Sequence, residues 1–357
     1  MRKRHLTCLV SIAAVSAAGL GTAVPSASAA AAGGHVVYPG QSIQAAVDAA
    51  HPGDTIVVRP GTYRESVLIS TPGLTLRGSG DRTVIVPGAS RAQPDNACAK
   101  AGNGVCVLGT AQHTVDDVSV RSLTVTGFAS NGVWASWTDG LEVRGVTAGS
   151  NGTWGIAQQR STRSDIRDNT ARSNGDAGIF VANSVDEEGG ATDTLGTRVR
   201  GNTLTDNRIG FTARRVRNLT VSDNTFTANC SGVFVVGDEG TPKAGAMTIR
   251  SNRITGNNKF CAATDRLPAI QGSGIVLTGT ETTQVRSNVI RDNVGATPLS
   301  GGVVLFKSFV GAKNTDNTIS GNVVTGNQPA DLADEDTGTG NDFTGNVCTT
   351  SAPAGMC

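Results

Sequence analysis

Aromatic side chains are scarce in this chain: Phe, Trp and Tyr together make 4% of 357 residues, and no long stretch carries helical periodicity. A helical bundle is therefore excluded. Basic residues form no cluster, since Lys and Arg are spread among Asp and Glu along the chain, so a nucleic-acid partner has no electrostatic footprint here. Histidine is sparse, and His35, His51 and His113 are too scattered to predict a metal site. Long apolar runs are absent apart from one, Leu6 to about Val24, preceded by Arg2, Lys3 and Arg4 and followed by the small-residue triplet Ala27-Ser28-Ala29. That pattern predicts a secretory signal peptide over residues 1–29 and a mature domain over 30–357. Its removal leaves no membrane span, and a secreted, extracellular protein is the expectation.

Cleavage leaves 27 Lys and Arg against 29 Asp and Glu, a formal charge of −2. Cys8 departs with the signal, so six of the seven cysteines remain, an even number that suggests disulfides in an exported chain. Local pairing is the simplest arrangement: Cys98 with Cys106, Cys230 with Cys261, and Cys348 with Cys357, one of fifteen possible sets.

What the chain has in abundance is Gly (46 residues), Thr, Val and Asn, and with them a repeat. Gly132-Val133, Gly155-Ile156 and Gly178-Ile179 are spaced by 23 residues, and Asn151 to Asn174 repeats the same step. Farther on the unit reads N-x-[aliphatic or F]-x-x-N before G-[IVF], as in Asn202 to Asn207 before Gly210-Phe211 and Asn224 to Asn229 before Gly232-Val233. Short strands and sharp turns consume about 20–25 residues per coil, so the period predicts an all-β fold, a single-stranded parallel β-helix. Each Asn is expected at a sharp turn, tolerating left-handed backbone angles and bonding its counterparts in neighbouring coils. A solenoid end needs a cap. Residues 36–52 supply one: Ser42 as helix N-cap, Ile43, Ala46, Val47 and Ala50 on one face, and Pro52-Gly53 as the stop.

The run from Gly40-Gln-Ser-Ile-Gln-Ala-Ala-Val-Asp-Ala-Ala to Val58-Arg-Pro-Gly-Thr-Tyr-Arg-Glu65, followed by these coils, resembles the pectate-lyase-like superfamily of right-handed parallel β-helices. The resemblance covers nearly the whole mature chain. It specifies architecture more than activity, because pectin esterases, lyases, carbohydrate epimerases and a NosD-type periplasmic β-helix share the opening motif. It implies a polysaccharide partner, a site on the outer face of one parallel sheet, and calcium as the one cofactor it raises; no dense acidic cluster for calcium is present. A monomer is expected.

Alternation locates that face. After each Gly of the repeat the aliphatic residues point inward, which leaves Trp134, Phe180 and Phe234 in an outward column with Gln159 and Arg214 beside it. Rings that stack on sugars would explain the aromatics, and so would an inserted loop that covers them. Trp137, Gln159, Arg160 and Lys307 join Trp134, Phe180 and Phe234 as candidate substrate-binding residues. Coils stack about 4.8 Å apart, which brings Arg214 and Arg215 near Asp186, Glu187 and Asp238. These five are the catalytic candidates: a lyase needs a base beside a uronate carboxylate, for which Arg serves, and a hydrolase needs two carboxyl groups. Surface ion pairing accounts for the same charges without catalysis. Two readings stand. One is a secreted lyase or glycoside hydrolase, the other a non-catalytic glycan-binding β-helix.

Overall fold

The computed structural model describes residues 34–88 and 95–357, so the expected signal peptide lies outside the described residues. The described chain winds as a parallel β-helix of three long sheets, with 11, 10 and 11 strands. A typical coil consists of Glu142–Arg144 in the first sheet, Thr147–Gly149 in the second and Ile156–Gln159 in the third. Each strand pairs in parallel with its equivalent one coil away, as Val133 with Ile156 and Ile156 with Ile179. The inward positions read from the repeat, Val133, Ile156, Ile179, Val233, Ile275 and Val303 among them, are at most 1% exposed and belong to one continuous core.

Two asparagine ladders run along the turns. In one, Asn174, Asn207, Asn229 and Asn257 each donate from Nδ2 to Oδ1 of the next asparagine, at 2.8–3.2 Å, and to a main-chain carbonyl. Each Oδ1 also accepts the main-chain N–H of the preceding asparagine. The left-handed backbone falls one residue earlier than expected, at Ser173, Asp206 and Ala228, and the ladder asparagines themselves keep negative φ. Asn is selected here for its two-sided amide, which satisfies turn groups that strand pairing cannot reach.

The first end is closed by helix α1, Ile43–Asp48, whose Ile43 and Val47 are buried on the core. Ser42 accepts from Ala45 N–H, and Glu65 adds a second cap, accepting from the Ile43 and Gln44 N–H groups at 2.7 and 3.1 Å and from Ser42 Oγ. Gln44 bonds both the N–H and the carbonyl of Leu68, covering the edge of the third sheet. The disulfides are Cys98–Cys106, Cys230–Cys261 and Cys348–Cys357, the local pairing. No helix among the described residues is long and apolar enough to cross a membrane.

One inward residue departs from the aliphatic pattern. Gln158, paired in register with Ala135 and Val181, is 1% exposed, and neither end of its amide has a hydrogen-bond partner. Gln158→Leu is expected to stabilise the fold by about 1–3 kcal/mol, the cost of a buried unsatisfied polar group. A rise in the urea midpoint with an unchanged m-value would show it; a fall would mean that the amide is satisfied.

Candidate functional site

Four strands of the third sheet, Ala177–Ala182, Ile209–Arg214, Ser231–Val236 and Ser273–Thr278, are six residues long, and their outer faces carry the candidate site. Phe180, Thr212 and Phe234 stand in register across three of them, with Ala182, Arg214 and Val236 in the next outward row. Loops 183–191, 259–270 and 306–312 rise around this floor. Together they border a half-open cavity of about 550 Å³.

The loops settle what the outward aromatics do. Phe180 and Phe234 are only 5% and 2% exposed, because inserted residues cover them. Phe234 joins Ile209, Val276 and Val304 in a second apolar cluster completed by Ile270 and Leu299. Of the two alternatives for these aromatics, the covering loop is present: Phe180 and Phe234 present little surface at the base of the cavity. Trp134 does not line it and instead stacks on Trp154, with centroids 5.9 Å apart, and Trp154 stacks on Phe180 at 4.2 Å.

The charged candidates separate into two places. Arg214, Arg215, Asp186 and Asp238 line the cavity, whereas Trp137, Arg160 and Glu187 line a shallower recess of about 330 Å³ beside it. In that recess the Arg160 guanidinium lies 5.1 Å from the Trp137 ring centroid and is ion-paired with Glu187. Gln159 bonds Ser136 Oγ and the Val185 N–H, which anchors loop 183–191. Lys307 is exposed and lines neither hollow.

Within the cavity the two adjacent arginines differ. Arg215 is nearly buried and ion-paired with both Asp238 and Glu188, and it donates to the Glu187 carbonyl at 3.2 Å, so it clamps loop 183–191 to the sheet. That pairing commits Arg215 to holding the loop, with Asp238 and Glu188 as its counter-ions. Arg214 donates to the Val185 carbonyl at 3.2 Å and makes no ion pair among the described residues. Burial lowers its pKa, and the charges of Arg215 and Arg266 add to the effect. Thr212, two residues away on the same face, has a buried hydroxyl without a hydrogen-bond partner. A cation and an unpartnered hydroxyl on one wall form a ready-made anchor for a carboxylate with a neighbouring polar group.

Sequence reasoning missed Asp176, Arg208 with the loop it ties down, and the pair Phe309 and Val310. Asp176 lies in the turn before Ala177 and accepts the Trp154 indole N–H at 3.0 Å. Burial pushes its carboxyl above the usual carboxylate range, against the opposing pull of Trp154, Arg208 and Arg266. Arg208 bonds the carbonyls of Ala262 and Pro268 and so ties down the loop that delivers Arg266 and Leu267. Phe309 and Val310, both more than half exposed, stand at the cavity mouth. Loop residues carry no period, and only the adjacency of Asp176 to the repeat's Gly178 marks its coil.

Metal ligands do not assemble. No three His, Cys, Asp or Glu side chains among the described residues converge to hold an ion. The six cysteines among them are all in disulfides, and His35 and His51 meet only Asp54, at 3.3 and 3.7 Å.

Three parallel sheets, a capped end and an outer-face cavity define a right-handed parallel β-helix protein, and the model of a right-handed beta helix region matches residues 196–348. The family model described as periplasmic copper-binding protein (NosD) matches residues 47–266, and the chain belongs to that family. No curated protein matches it in sequence. Solved structures with the same fold include the Azotobacter vinelandii mannuronan C-5 epimerase AlgE4 A-module, 18% identical, TM-score 0.53, covering 85% of this chain and 91% of that one. The DFA-IIIase of Arthrobacter chlorophenolicus A6 in complex with DFA-III is 14% identical, TM-score 0.57, covering 88% and 83%. The periplasmic alginate epimerase AlgG is 13% identical, TM-score 0.56, covering 86% and 82%.

Proposed function

We propose that the protein is an exported carbohydrate-active β-helix that holds an acidic sugar in the cavity of the third sheet and cleaves its chain by β-elimination. The observation that carries this reading is the Arg214–Thr212 wall: a cation with no ion pair beside a buried hydroxyl with no partner. Three disulfides fit an oxidising compartment outside the cytoplasm. The β-helix neighbours whose names specify alginate or mannuronan support a uronate as the sugar.

Arg214, the cation without an ion pair, holds the uronate carboxylate and neutralises it together with Arg266 at the rim, which acidifies the adjacent C–H so that solvent takes its proton. Asp176, with its raised pKa, supplies a proton to the departing glycosidic oxygen, so the proton lost from carbon is matched by one gained at oxygen. Hydrolysis is the second reading: Asp238 and Glu188 are committed to Arg215, so its two carboxyl groups would have to be Asp176 and Asp186, which line the same cavity. The family's copper-binding description finds no ligand set here among the described residues.

A panel of polyuronates and neutral glycans tests the reading. Absorbance from unsaturated sugar ends is expected with a polyuronate and not with a neutral glucan. Binding of the uronate without such absorbance would instead select a non-catalytic glycan-binding protein, and no binding at all would reject both.

Asp176 also predicts a pH response. Its carboxyl is raised in the folded state, so its contribution to stability is intact below the unfolded pKa and is lost as pH rises through the folded one. Asp176→Asn is expected to flatten the fall in Tm across that window, with a residual slope from Asp334 and Glu335, which burial also raises. In the same variant the alkaline limb of the turnover profile should disappear along with most of the activity. A profile identical to wild type would remove Asp176 from the mechanism.

A further inference from the structure

The first sheet carries a feature that the cavity does not use. At its last outward position, strand after strand, stands an arginine in direct register: Arg77 beside Arg121, Arg121 beside Arg144, then Arg167 and Arg200. After Ser222 the column resumes with Arg250 and Arg286 and ends at Ser320. Seven arginines in eight successive strands make a row of about 34 Å at about 4.8 Å per coil. Like charges directly opposite each other across a sheet are destabilising, so so long a row needs compensation.

Compensation is present only in the middle. Arg144 pairs with Asp168, Arg167 with Glu142, Asp165 and Asp168, and Arg200 with Asp165. Arg77 and Arg121 at one end, and Arg250 and Arg286 at the other, make no ion pair among the described residues, and the buried Arg121 Nε has no hydrogen-bond partner. Counting Arg198 in the neighbouring outward row and the turn residue Asp223, this face holds eight arginines and four carboxylates, on a chain whose total is 30 Lys and Arg against 29 Asp and Glu. Positive charge has been gathered onto one face of a nearly neutral protein.

We propose that this arginine column is a second binding site, a track along which an acidic polysaccharide lies parallel to the helix axis, with its carboxylates spaced along the row. A regular row of bidentate donors suits a linear polymer that bears one carboxylate per unit. The outward positions of these strands are Thr, Ser, Gln, Glu, Asp and Arg, without an aromatic ring for bases to stack on, which favours a polyuronate over single-stranded nucleic acid. The track is independent of the cavity, which occupies a different sheet.

The test uses serine, the residue that the fold already accepts in this column at Ser222 and Ser320. The purified protein and its R250S/R286S and R77S/R121S variants are measured for retention on long polyuronate across a salt series, with Tm as the check on folding. Each double variant is expected to bind the polymer about tenfold more weakly and to lose about one unit or more of the slope of log affinity against log salt. Uronate di- and trisaccharides, too short to span the column, should bind both variants as they bind wild type. Unchanged polymer affinity in both variants overturns the proposal, as does equally tight and equally Arg-dependent binding of DNA. R214A separates this result from the cavity: it is expected to lose the short oligomers and keep polymer retention, whereas short oligomers bound by R214A as by wild type would reject the cavity reading and leave the track standing. Polymer retention lost together with short-oligomer binding in R214A, and kept in both serine variants, would reject the track alone.

Discussion

Arg214→Ala is expected to lower kcat/KM on a polyuronate by about 100-fold or more, the scale lost when one preorganised charge-stabilising donor is removed. Arg214 does no structural work comparable to its neighbour's: it donates to the Val185 carbonyl, and it pairs with no carboxylate among the described residues. Tm should therefore move little. Arg214→Lys keeps the charge but not the planar fork, and should recover binding without recovering full turnover. Arg215→Ala is the informative contrast, because it strands Asp238, 12% exposed, and Glu188 without their cation, and releases loop 183–191. That variant should lose stability as well as activity. If Arg214→Ala turned over substrate normally while Arg215→Ala remained folded and inactive, the roles given to the two residues would be exchanged.

The largest effect on stability is expected from Asn229→Ala in the middle of the turn ladder. Asn229 is fully buried, its Oδ1 accepts the Asn207 N–H and Nδ2, and its Nδ2 reaches the Leu204 carbonyl and Asn257 Oδ1. Truncation leaves one main-chain N–H and one carbonyl unsatisfied in a dry turn, a cost of about 2–6 kcal/mol at about 1–3 kcal/mol per group. Asn346→Ala at the end of the other ladder, where the side chain is only partly buried, should cost much less. The ladder's own terminus shows what a carboxylate requires at such a place. Asp331 ends it by accepting the Asn327 N–H and amide on one oxygen and the Thr349 and Thr350 N–H groups on the other. Asn229→Asp has no such extra donors and should be as damaging as alanine. Urea midpoints of these variants check the ranking, and equal losses at Asn229 and Asn346 would contradict it.

Much of the architecture was legible because it is periodic. The Gly and Asn steps locate the coils, and alternation within them correctly divides Val133, Ile156 and Ile179 from Trp134, Ala157 and Phe180. Ser42 and the apolar face of α1 mark the cap, although Glu65, which completes it from the next turn, lies too far along the chain to be seen as a partner. The asparagine turns were placed correctly and explained only in half: the side chains bond from coil to coil, but the left-handed residue is the one before. Strand geometry carries the floor of the site, so Arg214 and Thr212 could be assigned to one face. The loops obey no period. Nothing in the strand pattern shows that loop 259–270, stapled by Cys230–Cys261, folds back over Phe234, or that Arg215 is spent on Asp238 and Glu188 while Arg214 is left free. Nor does alternation alone show that Asp176 faces Trp154, because both lie in turns. The arginine column was readable as an aliphatic-Arg pair before each turn, yet its meaning depends on register, which needs the exact coil lengths.

A crystal structure of the protein with a uronate trisaccharide tests the central claim most directly. The account predicts the sugar in the third-sheet cavity, one carboxylate on the Arg214 guanidinium, a ring hydroxyl on Thr212 Oγ1 and the glycosidic oxygen within reach of Asp176. A trisaccharide bound elsewhere, or in the cavity with Arg214 and Thr212 untouched, would contradict it.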